Sequence, residues 1–306
     1  MKMERKKSGS VSDAILEMLE EQKREWIVVG KRFDDLRHVR VRNLTLSTDC
    51  HIVVQFNPER IRSSKADISP EMLAKRKCFL CREGRDPLQR TYPLGDYGIQ
   101  VNPFPIFPAH FTVTYKEHVP QSIVGRFDDF LSVLKSLDKL TVFYNGPHCG
   151  ASAPDHCYFQ ACTRGMMPIE TEWQLHDVEL LRAEGKARLQ CVKNYFRTLF
   201  VLTGVDVTDL KSLFDRWTAS LPVRSGEYEP RMNLIGFYSD GVYTVFLLPR
   251  NKLRPDCFYA SDETQRTVSP ASVEMGGLFI TPVEKDFQLL SVADAVEILD
   301  ECTLKI

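Results

Sequence analysis

A short strand near the middle of the chain carries the side chains best suited to chemistry. In the stretch "HCYFQAC", residues 156–162, side chains alternate between the two sides of an extended backbone. His156, Tyr158 and Gln160 therefore share one side of this predicted strand. An imidazole, a phenol and a carboxamide can together bind one polar ligand, although the same residues also suit a solvent-exposed sheet face. The pattern favours either a row of ligand-binding groups or an ordinary polar face.

The segment before this strand could bind an anion. "NGPHCGASAPD", residues 145–155, contains Gly146 and Gly150, which let backbone N–H groups approach a phosphate closely. Ser152 adds a hydroxyl donor. Most glycine-containing segments of this kind are simple turns. These residues alone do not distinguish a phosphate-binding loop from a simple turn.

Two cysteines have the spacing of metal ligands. Cys78 and Cys81 form a C-x-x-C in "KCFLC", which allows two thiolates to reach one ion from a tight turn. A redox dithiol and a pair of unliganded cysteines are the alternatives. His110, His118 and His156 lie near predicted strand ends and could complete a tetrahedron. The residue types alone do not show which of these histidines would bind the metal.

The elements that must position these groups follow from the spacing of apolar residues. We expect a helix after a capping Ser10, a second helix at 126–137, and a buried strand at 140–146 that leads into the glycine segment. In the second half the patterns predict strands in 187–204, a helix at 208–221, a hairpin turned at Asp240–Gly241, a strand at 276–282 and a closing helix at 291–304. The fold class is α+β. The expected organisation is a disordered tail at 1–10, an N-terminal half at 11–165 and a C-terminal half at 166–306.

Composition narrows the class of protein. The chain has 306 residues, 43% of them apolar, and a formal net charge of −1, so no global field attracts nucleic acid or acidic membranes. Nine cysteines, an odd number without a regular framework, favour a reducing compartment. We find no signal peptide and no apolar run long enough to span a membrane. These features predict a cytoplasmic protein with no nucleic-acid and no membrane partner.

Several motifs in order resemble a known superfamily. "KCFLC", "YKEHVPQS" and "FYNGPHCGASAPDHCYFQA" are similar to galactose-1-phosphate uridylyltransferase and its relatives in the histidine-triad superfamily. "LLPRNKLRPDCFYA" and "VSPASVEMGGLFITP" resemble GDP-L-galactose phosphorylases and dinucleoside tetraphosphate phosphorylases, and the overall layout looks closest to a bacterial family related to those phosphorylases. The resemblance implies two histidine-triad-like halves, each an antiparallel sheet with flanking helices. It also implies a nucleotidyltransferase or phosphorylase acting at the α-phosphate of a nucleotide-sugar or dinucleoside polyphosphate.

The resemblance assigns a metal and a catalytic motif. A structural zinc site falls on Cys78, Cys81, His118 and His156. The catalytic motif of the superfamily is His-x-His-x-Gln, which matches at His156 and Gln160 but has Tyr158 where the nucleophilic histidine belongs. A phenol with a pKa near 10 is only about one part in a thousand ionised at neutral pH. By their positions in the motif, Tyr158 and Gln160 are nevertheless the predicted catalytic pair. Because the phenol is so weakly ionised, a catalytically degenerate nucleotide-binding protein is the alternative.

The same resemblance suggests where the substrate binds. The expected substrate-binding residues are Arg60, Arg62, Asn102, Asn145, Gly150 and Ser152. Arg250, Lys252 and Arg254 could close the site from the second half, although basic residues in such a segment are more often exposed. The expected partner is a nucleotide-sugar or dinucleotide small molecule, and the protein is expected to be a monomer or homodimer. A zinc-stabilised scaffold for protein contacts is a further alternative.

Overall fold

A computed structural model describes residues 9–61 and 69–306. Helix α1, Val11–Glu25, begins as the sequence predicts, because the Ser10 hydroxyl accepts a hydrogen bond from the Asp13 N–H at 3.2 Å. The buried Ile15 and Leu19 lie one turn apart on its inner face. Helix α2, Ile27–Asp35, follows after a bend at Trp26. Of the tail expected at residues 1–10, residues 1–8 lie outside the described part of the chain.

The described residues contain strands of very different burial. In chain order they are β1 Arg40–Ser47, β2 Cys50–Phe56, β3 Tyr92–Leu94, β4 Tyr97–Val101, β5 His110–Tyr115, β6 Leu140–Asn145, β7 Tyr158–Thr163, β8 Val178–Glu184, β9 Ala187–Val192, β10 Phe200–Gly204, β11 Met232–Ser239, β12 Val242–Pro249 and β13 Leu278–Thr281. Strand β6 is buried along its whole length, whereas β8 is mostly exposed. The hairpin β11–β12 turns at Asp240 and Gly241 with φ of 52° and 81°, which confirms the predicted turn.

The other helices of residues 9–61 and 69–306 connect and cover these strands. They are α3 Pro70–Lys75, α4 Phe127–Ser136, α5 Ile169–Glu172, α6 Val207–Ala219, α7 Asp256–Tyr259, α8 Ser272–Met275, α9 Glu284–Leu289 and α10 Val292–Cys302. Short 3₁₀ turns occur at Leu36–His38, Pro58–Arg60, Arg82–Gly84 and Trp173–Leu175. Helices α4, α6 and α10 coincide with the helices predicted from apolar spacing.

One large sheet joins the two halves of the chain. Within the described residues its ten strands lie in the order β3-β4-β5-β7-β6-β11-β12-β10-β9-β8. The series β3-β4-β5-α4-β6-β7 and β8-β9-β10-α6-β11-β12 repeat the same succession of elements, and antiparallel pairing of β6 with β11 links them. The α+β class with two antiparallel halves is thereby confirmed. The division of the chain at residue 165 stays a prediction.

The two faces of this sheet are covered differently. Helices α1, α4 and α6 pack on one face, where the Phe127 and Phe214 rings stack at 3.8 Å between centroids. A three-stranded sheet, β1-β2-β13, contributes Ile52 and Phe279 to the core on the other face. In this small sheet β13 runs parallel to β2. Among the described residues, no helix combines the length and apolar character that crossing a membrane requires.

Candidate functional site

Two cysteines from the segment before β3 and two histidines next to the ends of β5 and β7 form a compact ligand set. The donor atoms of Cys78, Cys81, His118 and His156 all lie within 4.8 Å of one another. Nδ1 of His156 is 3.4 Å from each cysteine sulfur, and Nδ1 of His118 is 3.3 Å from that of Cys81. Bonds of about 2.3 Å to sulfur and 2.0 Å to nitrogen at a tetrahedral ion place such atoms about 3.5 Å apart. The four groups therefore have the spacing of a tetrahedral Cys₂His₂ metal site.

Contacts outside this set orient its ligands. Nε2 of the buried His156 lies 2.9 Å from the carbonyl oxygen of Tyr115, to which it donates, so Nδ1 is left as the atom facing the cysteines. Arg76 forms an ion pair with Asp155 at 2.6 Å, and this carboxylate also lies 3.8 Å from Nε2 of His118. The imidazole that faces the thiols is thus held in the tautomer that a metal requires.

The two thiols also differ in acidity. Burial opposes ionisation of Cys78, but its contact with the His156 ring and hydrogen bonds from backbone N–H groups lower its pKa to about 6. Burial and the negative charge of Cys78 raise the pKa of Cys81 to about 11. Ionisation of one thiol therefore disfavours ionisation of the other, and a cation between the two sulfurs would favour ionisation of both.

Tyr158 is buried with its phenol turned into the glycine segment. It is 3% exposed, and its oxygen accepts a hydrogen bond from the Ser152 N–H at 3.0 Å. Burial raises the pKa of Tyr158 above its ordinary value, more than the contacts with Ser152 lower it. The phenol packs beside Leu80, Ala151 and Ala153. A phenol in this setting is a poor nucleophile. It also occupies the backbone N–H of Ser152 and lies 3.4 Å from the Ser152 hydroxyl, the group that the sequence predicts as a substrate donor.

Gln160 lies on the same side of β7 and meets the neighbouring strand β5. Its Oε1 lies 3.0 Å from Nε2 of His110 and 3.4 Å from Nδ2 of Asn102. Burial, together with the positive charge of Arg60, lowers the pKa of His110 to about 3, so its imidazole is neutral. The sequence offered His110 as a metal ligand. The structure places it against Gln160 instead, because β5 and β7 pair with Thr112 opposite Gln160.

Arg60 brings a cation to the same place. Its Nη1 donates to the carbonyl oxygen of Phe104 at 3.1 Å, and its charge acts on His110, Tyr158 and Glu274. Glu274 belongs to α8, so the second half of the chain contributes a carboxyl group to the surroundings of Arg60. Burial raises the pKa of Glu274 above its ordinary value. Arg62, the other cation expected to bind substrate, lies outside the described residues.

Asn145 belongs to a buried network where the two halves meet. Its Oδ1 accepts from Nδ2 of Asn233 at 3.1 Å and from the backbone and hydroxyl of Ser272 at 2.8 and 2.7 Å. Arg250 is 2% exposed and donates to Asn233 and to the Cys302 carbonyl oxygen, so it supports the junction rather than closing the site. The other two basic residues of this segment also bind protein groups. Lys252 forms ion pairs with Asp256 and Glu301, and Arg254 donates a hydrogen bond to Ser269.

Gly150 is required by the way the two halves touch. Its φ is 97°, and a Cβ at this position would lie 2.4 Å from the Ala271 side chain. Any larger residue would push the glycine segment away from the start of α8, where Ser272 contacts Asn145. The segment predicted to bind phosphate is therefore also a contact surface between the halves.

A cavity of about 340 Å³ lies beside the 102–105 segment that contacts Gln160 and Arg60. Its walls include two arginine–aromatic pairs: the Arg32 guanidinium lies 4.2 Å from the Phe104 ring centroid, and that of Arg40 lies 4.8 Å from the Phe56 centroid. Glu59, next to Arg60, also lines it. The sequence reasoning missed Phe104 and Glu274, although Phe104 is two residues from the predicted Asn102 and Glu274 lies in the quoted segment "VSPASVEMGGLFITP".

Comparisons with known proteins give two family-model matches, each over part of the chain, and one fold. Residues 18–163 match the family model described as a domain of unknown function, DUF4922, and residues 173–306 match the GDPGP1-like, C-terminal domain. No curated protein matches the sequence. The crystal structure of yeast Ap4A phosphorylase Apa2 is similar with a TM-score of 0.60 at 17% identity, covering 90% of this chain and 96% of the yeast chain. The crystal structure of the same yeast enzyme in complex with AMP is similar with a TM-score of 0.56 at 15% identity, covering 92% of this chain and 96% of the yeast chain. The chain thus has the fold of the yeast enzyme.

Proposed function

We propose that this protein binds a nucleotide with its α-phosphate beside Gln160 and Arg60, and acts as a nucleotidyltransferase or phosphorylase on a nucleotide-sugar or dinucleoside polyphosphate. The observation that carries the proposal is the polar group formed by Gln160, neutral His110 and Arg60 on one face of the sheet. An amide donor and a guanidinium suit a phosphate oxygen. The shared fold with an Ap4A phosphorylase, and that enzyme's complex with AMP, agree with a nucleotide ligand.

The cavity beside the 102–105 segment accepts the nucleoside. Its volume of about 340 Å³ lies within the range of small-molecule sites. The Arg32–Phe104 and Arg40–Phe56 pairs offer planar surfaces against which a base can stack. Arg60 is connected to the wall of this cavity, because its Nη1 donates to the carbonyl oxygen of Phe104 and its neighbour Glu59 lines the cavity.

Zinc is the ion that the Cys₂His₂ set fits best. Two sulfurs and two imidazole nitrogens at tetrahedral spacing are the donors of structural zinc sites, and four protein ligands leave no position for a reacting water. Bound here, zinc stabilises the fold. His118 follows β5 and His156 precedes β7, so the ligands hold the 78–84 segment against the two strands that carry His110 and Gln160.

The reaction that this site favours is a single displacement. An oxygen of inorganic phosphate attacks the α-phosphorus in line, the bond from that phosphorus to the bridging oxygen breaks, and the leaving group departs with the electron pair of that bond. A nucleoside diphosphate and a phosphorylated leaving group result. Gln160 and Arg60 stabilise the charge on the non-bridging oxygens. Tyr158 takes no part, because its phenol is buried and bonded to Ser152.

Incubation of the full chain with Ap4A, GDP-sugars and UDP-sugars in the presence of ³³P-labelled phosphate tests this function. We expect label in a nucleoside diphosphate for at least one substrate class. A chiral α-thiophosphate substrate should react with inversion, because one displacement inverts the phosphorus once. Absence of labelled product across the panel, or retention of configuration, would contradict the proposal.

A second candidate is a nucleotide-binding protein without turnover. The buried Tyr158 at the position of the superfamily's nucleophile favours it. Under this candidate the chain binds AMP or GMP but releases no labelled diphosphate. Tyr158→His then distinguishes the two: activity that appears only in the variant supports degeneracy, whereas equal activity in parent and variant supports direct displacement.

A further inference from the structure

Hydrogen bonds around Gln160 determine which end of its amide faces a ligand. The backbone N–H of Ile106 donates to Nδ1 of His110 at 3.3 Å. A ring nitrogen that accepts from a backbone N–H carries no proton, so the proton of the neutral His110 ring is on Nε2. Nε2 then donates to Gln160 at 3.0 Å. The atom of Gln160 that receives this bond must be the oxygen.

Asn102 leads to the same orientation independently. Its Oδ1 accepts from the Phe104 N–H at 2.9 Å, so its own amide orientation is fixed by the backbone. Its Nδ2 is therefore the atom directed at Gln160 and His110, 3.4 Å from Oε1 of the former and 3.4 Å from Nε2 of the latter; since this Nε2 carries a proton, Nδ2 donates to the oxygen. Two donors from two different segments thus converge on one oxygen. In the described part of the chain, Nε2 of the half-buried Gln160 has no hydrogen-bond partner.

We infer that His110 is a positioning residue: by donating to Oε1 of Gln160, it turns the Gln160 NH₂ group toward the ligand and makes this position a donor for a phosphate oxygen. Without the donor on Nε2, the Gln160 amide can rotate by half a turn and present its oxygen, which repels an anion. This inference rests on the proposed nucleotide site, and it adds a residue that does not itself touch the substrate.

The environment of His110 suits this role over the working pH range. Its side chain is 1% exposed and packs against Phe107 and Phe143, with ring centroids 5.5 and 6.2 Å away. Arg60 is the charged group that acts on it. A neutral ring with its proton on Nε2 keeps the same donor direction whenever nucleotide is bound, whereas protonation of Nδ1 would remove the acceptor that the Ile106 N–H requires.

The ring state of His110 can be measured without any ligand. Nitrogen-15 NMR of the full chain, with histidine rings labelled and His110→Gln used for assignment, reports which ring nitrogen carries the proton. We expect the Nε2-protonated neutral ring at every pH from 5 to 9. A ring protonated on Nδ1, or one that titrates near its ordinary pKa of about 6.5, would overturn the inference.

Binding of AMP and adenosine by calorimetry then tests the effect on the ligand. His110→Met removes the donor, and His110→Gln is the matched control that retains one. We expect His110→Met to weaken AMP binding about tenfold or more and adenosine binding less than twofold, because a charge-assisted hydrogen bond is lost only for the phosphate. Equal losses for both ligands would show a merely structural role and overturn the inference. If the parent chain binds no AMP, GMP or UMP, the proposed function fails, and the NMR result alone decides the positioning role.

Discussion

Burial of a neutral imidazole makes the folding free energy depend on pH in a predictable direction. The pKa of His110 is about 3 in the folded chain, against 6.5 for an ordinary histidine. As pH falls below 6.5 the unfolded chain binds a proton that the folded chain does not bind, so the stability contributed by His110 is complete above this pH and is lost progressively below it.

The magnitude at pH 5 follows from these two values. Each state has a protonation factor of 1 + 10^(pKa − pH), taken with the unfolded or the folded pKa. The free energy of unfolding lost at pH 5 relative to pH 8 is 2.303RT multiplied by the logarithm of the unfolded factor divided by the folded factor at pH 5, because this ratio is close to one at pH 8. The result is about 2 kcal/mol. This figure hardly changes for any folded pKa below about 4, because at pH 5 the folded ring is then almost fully neutral. Replacing His110 by Gln removes the titrating group and keeps a side chain that can donate to Gln160.

Urea unfolding of the parent and of His110→Gln at pH 5 and pH 8 measures this contribution. Other titrating groups, including the metal ligands, are common to both proteins and cancel in the double difference. We expect the parent to lose about 2 kcal/mol more than the variant between the two pH values. The same pH dependence in both proteins would mean that His110 ionises as freely in the folded chain as in the unfolded one, and would refute its burial against Gln160.

Further predictions concern the phenol, the metal and the cation. Tyr158→Phe should cost about 1 kcal/mol in urea unfolding, because the Ser152 N–H loses its acceptor, and should leave turnover within about twofold; a loss of turnover above a hundredfold would make the tyrosine catalytic. Cys78→Ser should abolish stoichiometric zinc in atomic emission and lower the melting temperature by several degrees, while Cys191→Ser does neither; equal zinc in both variants contradicts the assigned ligands. Arg60→Gln should weaken AMP binding about tenfold and flatten its salt dependence in calorimetry, and an unchanged affinity would exclude Arg60 from the phosphate site.

Local patterns were sufficient to predict much of the fold. The apolar spacing around Phe127 fixes helix α4, and the Asp240–Gly241 pair fixes the β11–β12 hairpin, because both depend on residues close in sequence. Alternation along β7 likewise placed Tyr158 and Gln160 on one side of the strand. The sequence could not show that the phenol would be buried, since this depends on how the glycine segment folds back over it.

The features that were not predicted depend on pairing between distant segments. His110 meets Gln160 because β5 and β7 pair in one particular register, and periodicity within either strand does not specify it. Strand β13 pairs with β2 from the opposite end of the chain, and the same segment brings Glu274 beside Arg60. Such contacts follow from the packing of the two halves. The ligand set of Cys78 and Cys81 was available before the structure only through the resemblance to known proteins.

A crystal structure of the full chain with bound AMP, recorded also at the zinc absorption edge, tests the central claim most directly. We expect a phosphate oxygen within about 3 Å of Gln160 Nε2 and of the Arg60 guanidinium, and an anomalous peak among the four cysteine and histidine ligands. A phosphate bound away from Gln160, or a Gln160 side chain still covered by protein atoms in the complex, would contradict the nucleotide site proposed for this fold.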